Sequence, residues 1–175
     1  SIQACWGRVP SATGYLWVPG PSVTVNNFTG PLSDKSGSGK FMYTESSGFT
    51  TPPYVANLLT PFIDLSGSTA PEVSFWYYMY GSQIGSLTVQ VSTGGAWNTI
   101  STTSGQQQTN NTAAWVKITQ SLSAYVGDTI RIRFVGQKNS ASSQSRIAID
   151  EITVAEQPTC APVANVYTSG TTANS

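Results

Sequence analysis

The chain has 175 residues, enough for one domain with a real core, and its eight basic and eight acidic residues leave no net charge. Charged residues make up only 9% while 39% are hydrophobic and 11% aromatic, which excludes a disordered chain and leaves no basic footprint for nucleic acid or an anionic membrane surface. There is no run of about 18 apolar residues, and the opening SIQACWGRVP lacks a charged start followed by an apolar stretch, so the sequence reads as a soluble, already processed or excised segment.

Clusters of Gly, Pro, Ser, Thr and Asn recur between short apolar runs, and no window carries a helical period. GYLWVPG and PSVTV are the first strand candidates, and GKFMYTES follows the Gly-rich loop SDKSGSG. EVSFWYYMYG alternates, with Val73, Phe75, Tyr77 and Met79 on one face and Ser74, Trp76, Tyr78 and Tyr80 on the other. Both faces are bulky, which predicts a strand covered on both sides. SLTVQVST turns Leu87, Val89 and Val91 inward, and GGAWNTIST is its hairpin partner across a Gly-Gly turn. Residues 101–114, STTSGQQQTNNTAA, read as a long exposed polar loop. WVKITQSL and DTIRIRFVGQK resume the strands, the latter with Ile130, Ile132 and Phe134 inward and Arg131 and Arg133 outward. About ten short antiparallel strands predict an all-β, two-sheet sandwich.

RIAIDEITV, residues 146–154, is irregular: Ile147 and Ile149 share one face, but Ile152 and Val154 are out of phase with them by one residue. The slip falls on Asp150-Glu151 and predicts a β-bulge, with Asp150 re-aimed and Glu151 toward solvent. Beyond it, EQPTCAPVANVYTSGTTANS has the Pro, Thr, Ser and Ala content of a linker or the start of another module. Cys5 and Cys160 stand near the two ends of the folded part. They are either separate thiols or a disulfide, which would contribute on the order of 4 to 5 kcal/mol in the chain-entropy model and imply an oxidising compartment.

LLTPFIDLSG leading into VSFWYYMYGSQIGSLTVQV, then AWNTIS, WVKITQSLSAYVGDTIRIRF and RIAIDEITV, resembles the MAM family, named for meprins, neuropilins and receptor phosphatase mu. The resemblance covers roughly residues 30 to 155, and GPLSDKSGSGKFMYTES fits the family's Asp-containing loop before an aromatic strand. It implies a jelly-roll β-sandwich over residues 1–156, with 157–175 a linker or the start of a fibronectin type III-like module. It also implies a non-catalytic adhesion or interaction role within a larger secreted or cell-surface protein. Animal members generally carry four cysteines where this chain has two, and the family's usual Phe-Glu opening is absent.

With no histidine anywhere, a Ser-His-Asp or Cys-His centre is impossible, and the eight acids stand mostly at turns or strand ends. Enzymatic activity is not expected. Calcium needs several oxygen ligands, and SDKSGSGK supplies Asp34 with glycines that let carbonyls converge. In related jelly rolls a structural cation commonly bridges such a loop to the last strand, so the resemblance implies Asp34 and Asp150 as ligands, with Glu45 a weaker third. The alternative is an Asx-turn at Asp34, and backbone hydrogen bonds or pairing with an Arg at Asp150. For ligands two classes remain open: a protein partner, or a carbohydrate, which would make this an accessory module of a secreted hydrolase. Tyr15, Trp17, Tyr54, Trp97 and Trp115 are the aromatics that could stack on sugar rings, against core packing for each of them.

Overall fold

The computed structural model describes residues 6–20 and 29–158. Cys5 and Cys160, the segment PSVTV and nearly all of the tail lie outside the described residues. Among the described residues eleven strands and a single 3-10 turn at Ser123–Tyr125 are formed.

One sheet holds β1 (Gly7–Val9), β4 (Val55–Leu59), β10 (Thr129–Lys138), β7 (Ile84–Ser92) and β8 (Asn98–Ser104), in that spatial order, with the short β5 (Ile63–Asp64) beside the start of β10. The second holds, in order, β2 (Trp17–Gly20), β3 (Phe41–Thr44), β11 (Arg146–Glu156), β6 (Pro71–Tyr80) and β9 (Val116–Ser121). Every pairing is antiparallel, and the two sheets stack as a jelly-roll sandwich. The alternations fix which faces meet. Val73, Phe75 and Met79 of β6, Leu87, Val89 and Val91 of β7, and Ile130, Ile132 and Phe134 of β10 are all buried in one core. Phe75 and Phe134 meet edge to face at 5.1 Å across the interface.

Trp17 lies in this core with no exposed surface, and its indole N–H donates to the Ala56 carbonyl at 3.1 Å, linking β2 of one sheet to β4 of the other. The indole fits because residue 136 is glycine: a Cβ there would sit 3.0 Å from the indole Cζ2 and 2.6 Å from Thr44 Cγ2. Tyr15 is equally buried, with its ring edge-on to Phe49 at 6.0 Å. These two aromatics therefore fill the interior and present no face to a sugar.

Residues 101–114 depart from the exposed loop their polarity predicts. Residues 101–104 continue β8, and the remainder folds over the outer face of the second sheet. There Gln108 is buried, and its side-chain carbonyl accepts the Met79 amide at 2.6 Å where β6 has run past the end of β9. Beneath this strap Phe41, Tyr43, Tyr78 and Ala148 form a second apolar cluster, which Trp115 joins at 5.6 Å from Phe41 and 5.4 Å from Tyr78. β6 is thus covered on both faces, as its two bulky sides predict.

Candidate functional site

The irregularity in RIAIDEITV is a one-residue bulge. β11 pairs Asp150 with Trp76 of β6 but Thr153 with Ser74, so β11 spends one residue more than β6 over this interval. Glu151 takes up the difference with φ 47°, the left-handed region that side-chain-bearing residues rarely adopt. Ile147 and Ile149 stay in the core before the bulge, and Ile152 and Val154 pack against it afterwards.

The bulge turns the Asp150 carboxylate toward the loop between residues 30 and 40. Its Oδ2 accepts the Lys35 amide at 3.0 Å, and its Oδ1 accepts the Glu151 amide at 2.9 Å. Asp34, next to Lys35, is 5% exposed. Its Oδ2 accepts the Ser36 hydroxyl at 2.6 Å and the Gly39 amide at 2.7 Å, which curls the loop around the carboxylate. Residue 39 must be glycine in this curl, because a Cβ there would collide with Asp34 Oδ2. Asp34 Oδ1 is buried and has no hydrogen-bond partner. Glu151 is exposed, and its carboxylate is 3.6 Å from the Lys35 ammonium, which also lies 4.6 Å above the Trp76 ring.

The two carboxylates are held in opposite electrostatic conditions. The Ser36 hydroxyl and then the Gly39 amide, with smaller contributions from the Gly37 and Ser38 amides and against the effect of burial, hold Asp34 below the ordinary carboxylate range. Burial pushes Asp150 above it; the Lys35 and Glu151 amides work against that shift, and the nearby charges of Asp34 and Glu151 add to it. Among the described acids the Lys35 ammonium is thus paired with Glu151 alone, the Lys35 backbone amide serves Asp150, and one buried oxygen of Asp34 is left unpaired. That oxygen is what a hard cation would take up. Among the described residues no three acid or thiol side chains assemble into a metal-binding group, so an ion here would draw its remaining ligands from loop carbonyls.

Glu45 does not join Asp34 and Asp150. β3 pairs Met42 with Ile149 and Tyr43 with Ala148, which puts Glu45 beyond the opposite end of the strand from Asp34. There its Oε1 lies 3.3 Å from Nη2 of Arg146, a fully buried guanidinium that also donates to Ser47 Oγ at 3.2 Å and Thr29 Oγ1 at 3.4 Å. Lys138 is buried alongside, and its ammonium donates to the carbonyls of Phe49 at 2.8 Å, Ser46 at 3.0 Å and Ser142 at 3.2 Å. Neither cation stands out in the sequence. GQKNS and SSQSR look like ordinary solvated turns; Lys138 keeps the inward phase of Ile130, Ile132 and Phe134, a faint signal, whereas Arg146 shares the phase of Ala148 on the face opposite Ile147 and Ile149 and gives none.

Among the remaining aromatics, Tyr54 packs against the core with Lys138 4.9 Å from its ring, and its hydroxyl donates to the Thr50 carbonyl. Trp115 belongs to the strap cluster. Trp97 is half-buried on the outer face of the first sheet, 4.3 Å from the Arg133 guanidinium. Phe62, which the sequence reading passes over, is 70% exposed on the same face and lies 5.2 Å from Arg131.

Neuropilin-1a of Danio rerio is 36% identical over 106 residues, covering 58% of this chain and 11% of that protein. The human MAM domain-containing glycosylphosphatidylinositol anchor protein 2 is 31% identical over 140 residues, 73% of this chain and 14% of that protein. The chain therefore spans less than a sixth of the length of these relatives. Among solved structures, the K1 cleaved adhesin domain of Lys-gingipain from Porphyromonas gingivalis W83 superposes with TM-score 0.64 at 18% identity, over 90% of this chain and 94% of that one. An exo-beta-agarase does so with TM-score 0.59 at 10% identity, over 91% of this chain and 24% of that one. Both share the fold. The model of the MAM domain, meprin/A5/mu, matches residues 4–161, and the chain belongs to this family.

Proposed function

We propose that this chain is a non-catalytic interaction module of a larger secreted or cell-surface protein, held in shape by a structural calcium ion at the bulge. The observation that carries the reading is the buried, unpaired Oδ1 of Asp34 beside Asp150. Asp34, Asp150 and carbonyls of the loop around Asp34 are the residues that would hold the ion. When bound it would supply the positive charge that fixes this loop to β11.

Three of the other acids are engaged in structural hydrogen bonds or ion pairs. Asp64 accepts the Ser66 amide, Glu156 accepts the amides of Thr69 and Ala70, and Glu45 serves Arg146 and the Ser47 amide. Of the four oxygens of Asp34 and Asp150, three accept hydrogen bonds and the fourth is buried, so the pair is poorly placed to act as acid and base on a substrate. A family whose members are recruited as one module among several in long proteins accords with such a chain. In this reading residues 157–175 are a linker or the start of a following fibronectin type III-like module.

Thermal melting during a calcium titration tests the proposal, with Asp34→Ala as the control. The wild type is expected to gain stability with calcium and the variant is not. Equal responses in both would remove the site, and hydrolytic turnover of a polysaccharide by the isolated chain would remove the non-catalytic assignment.

A further inference from the structure

The eight acids and eight bases are not shared evenly between the two sheets. No acid lies on β1, β4, β7, β8 or β10, whereas Arg8, Arg131, Arg133 and Lys138 do. Lys138 is turned inward and buried, and Arg8 donates to the Trp17 carbonyl. Arg131 and Arg133 point to the outer face, each with an aromatic ring against its guanidinium: Phe62 at 5.2 Å and Trp97 at 4.3 Å.

Each arginine is further fixed through a single nitrogen. Arg131 Nε donates to the Thr60 carbonyl at 2.8 Å, and Arg133 Nε donates to Gln90 Oε1 at 2.8 Å. Among the described residues no carboxylate pairs with either, which leaves the terminal nitrogens of two pre-oriented forks to meet an anion. Asp64, opposite Thr129, and Asp128 stand at the rim, and Asp64 turns back to accept the Ser66 amide at 2.9 Å. Across β7 and β8 the same face presents hydroxyls and amides in cross-strand pairs, Gln90 with Thr99 at 3.0 Å and Thr88 with Thr102 at 3.3 Å.

Building on the reading of the chain as a binding module, we propose that this outer face binds an acidic polysaccharide, its carboxylate or sulfate groups taken by Arg131 and Arg133. The two rings lie on either side of the arginines. From the strand line of Phe62 to that of Trp97 is three inter-strand steps, about 14 Å, enough for a short stretch of glycan lying across the strands. A peptide adding to a sheet would use an edge, whereas these groups lie on a face. Amides and hydroxyls suit sugar hydroxyls, and the exposed ring of Phe62 suits a sugar's apolar face.

The test measures affinity of the chain for polygalacturonate, a sulfated galactan, a neutral galactan and polyglutamate at about 0.15 M salt, where long-range charge effects are screened. The proposal expects one or both acidic polysaccharides to bind at least about tenfold more tightly than the neutral galactan and polyglutamate. Which of the two binds assigns the anion as carboxylate or sulfate. Arg133→Gln and the exposed Phe62→Ala should each weaken that binding about tenfold, while Lys117→Gln, which removes the same charge from exposed β9 of the other sheet, leaves it unchanged. Equal binding of polyglutamate, full affinity in Arg133→Gln, or no binding of either acidic polysaccharide overturns the proposal. Neutral-galactan binding that ignores Arg133→Gln overturns it while leaving the interaction module standing.

Discussion

The two ends of β3 solve the same problem in opposite ways. Beyond Thr44, loops are drawn together by cations the chain itself supplies: Lys138 on three carbonyls and Arg146 on Glu45, Ser47 and Thr29. Before Phe41, loop and strand are drawn together around Asp34 and Asp150, and one of their oxygens is unpaired. Buried polar groups are costly unless matched. The first junction carries its own two cations, although the hydroxyls of Tyr15 and Ser145 there lack a hydrogen-bond partner among the described residues, and the second has a buried carboxylate oxygen with room for a cation from solution. The separation is short, about 13 Å along β11 from Arg146 to Asp150. The two ends should nevertheless respond to different perturbations.

Lys138→Met gives the largest expected effect. It removes the donor from three buried carbonyls and should cost about 3 kcal/mol or more, read from the urea midpoint at constant slope. Added calcium should not restore it, because the lost cation is on the chain. Gly39→Ala comes next: its Cβ collides with Asp34 Oδ2, so the variant should lose about 1 to 3 kcal/mol through overpacking and lose its calcium response with it.

Asp150→Asn sharpens the contrast. Without calcium it should be close to wild type or slightly more stable, because it relieves a buried carboxylate that burial and Asp34 already disfavour. With calcium at about 100 times its dissociation constant the wild type should gain about 2.7 kcal/mol and the variant should not.

The smallest effect is on pH dependence. Asp150 is raised above its unfolded value of 3.8, so its contribution is fully present below that value and is lost as pH rises through its folded pKa. Asp34 is lowered, so its contribution is present above 3.8 and is lost as pH falls through its folded pKa. In chelator, Asp34→Ala should therefore show stability falling as pH climbs above about 4, and Asp150→Asn should lack that fall.

The bulge end was legible in the sequence because a pleated strand has a strict period of two, and Ile147, Ile149, Ile152 and Val154 record the slip as a change of phase. The alternating runs in β6, β7 and β10 were legible for the same reason. The other end was not. Lys138 and Arg146 are buried by carbonyls and hydroxyls brought from residues 46 to 49 and from Thr29, contacts that have no local pattern. Trp17 and Tyr15 were readable as surface platforms only because their burial depends on distant residues, the space left at Gly136 for the indole and the Phe49 ring against Tyr15. The strap over residues 105–115 was hidden by its polarity: Gln108 is buried because its amide replaces a missing strand partner for Met79.

The unpaired oxygen of Asp34 is the central claim, and differential scanning calorimetry of the chain in chelator and then in rising calcium tests it most directly. A melting temperature that climbs with calcium in the wild type and in Lys138→Met, but stays flat in Asp34→Ala and Asp150→Asn, is the predicted result. A wild-type melting temperature indifferent to calcium would contradict it.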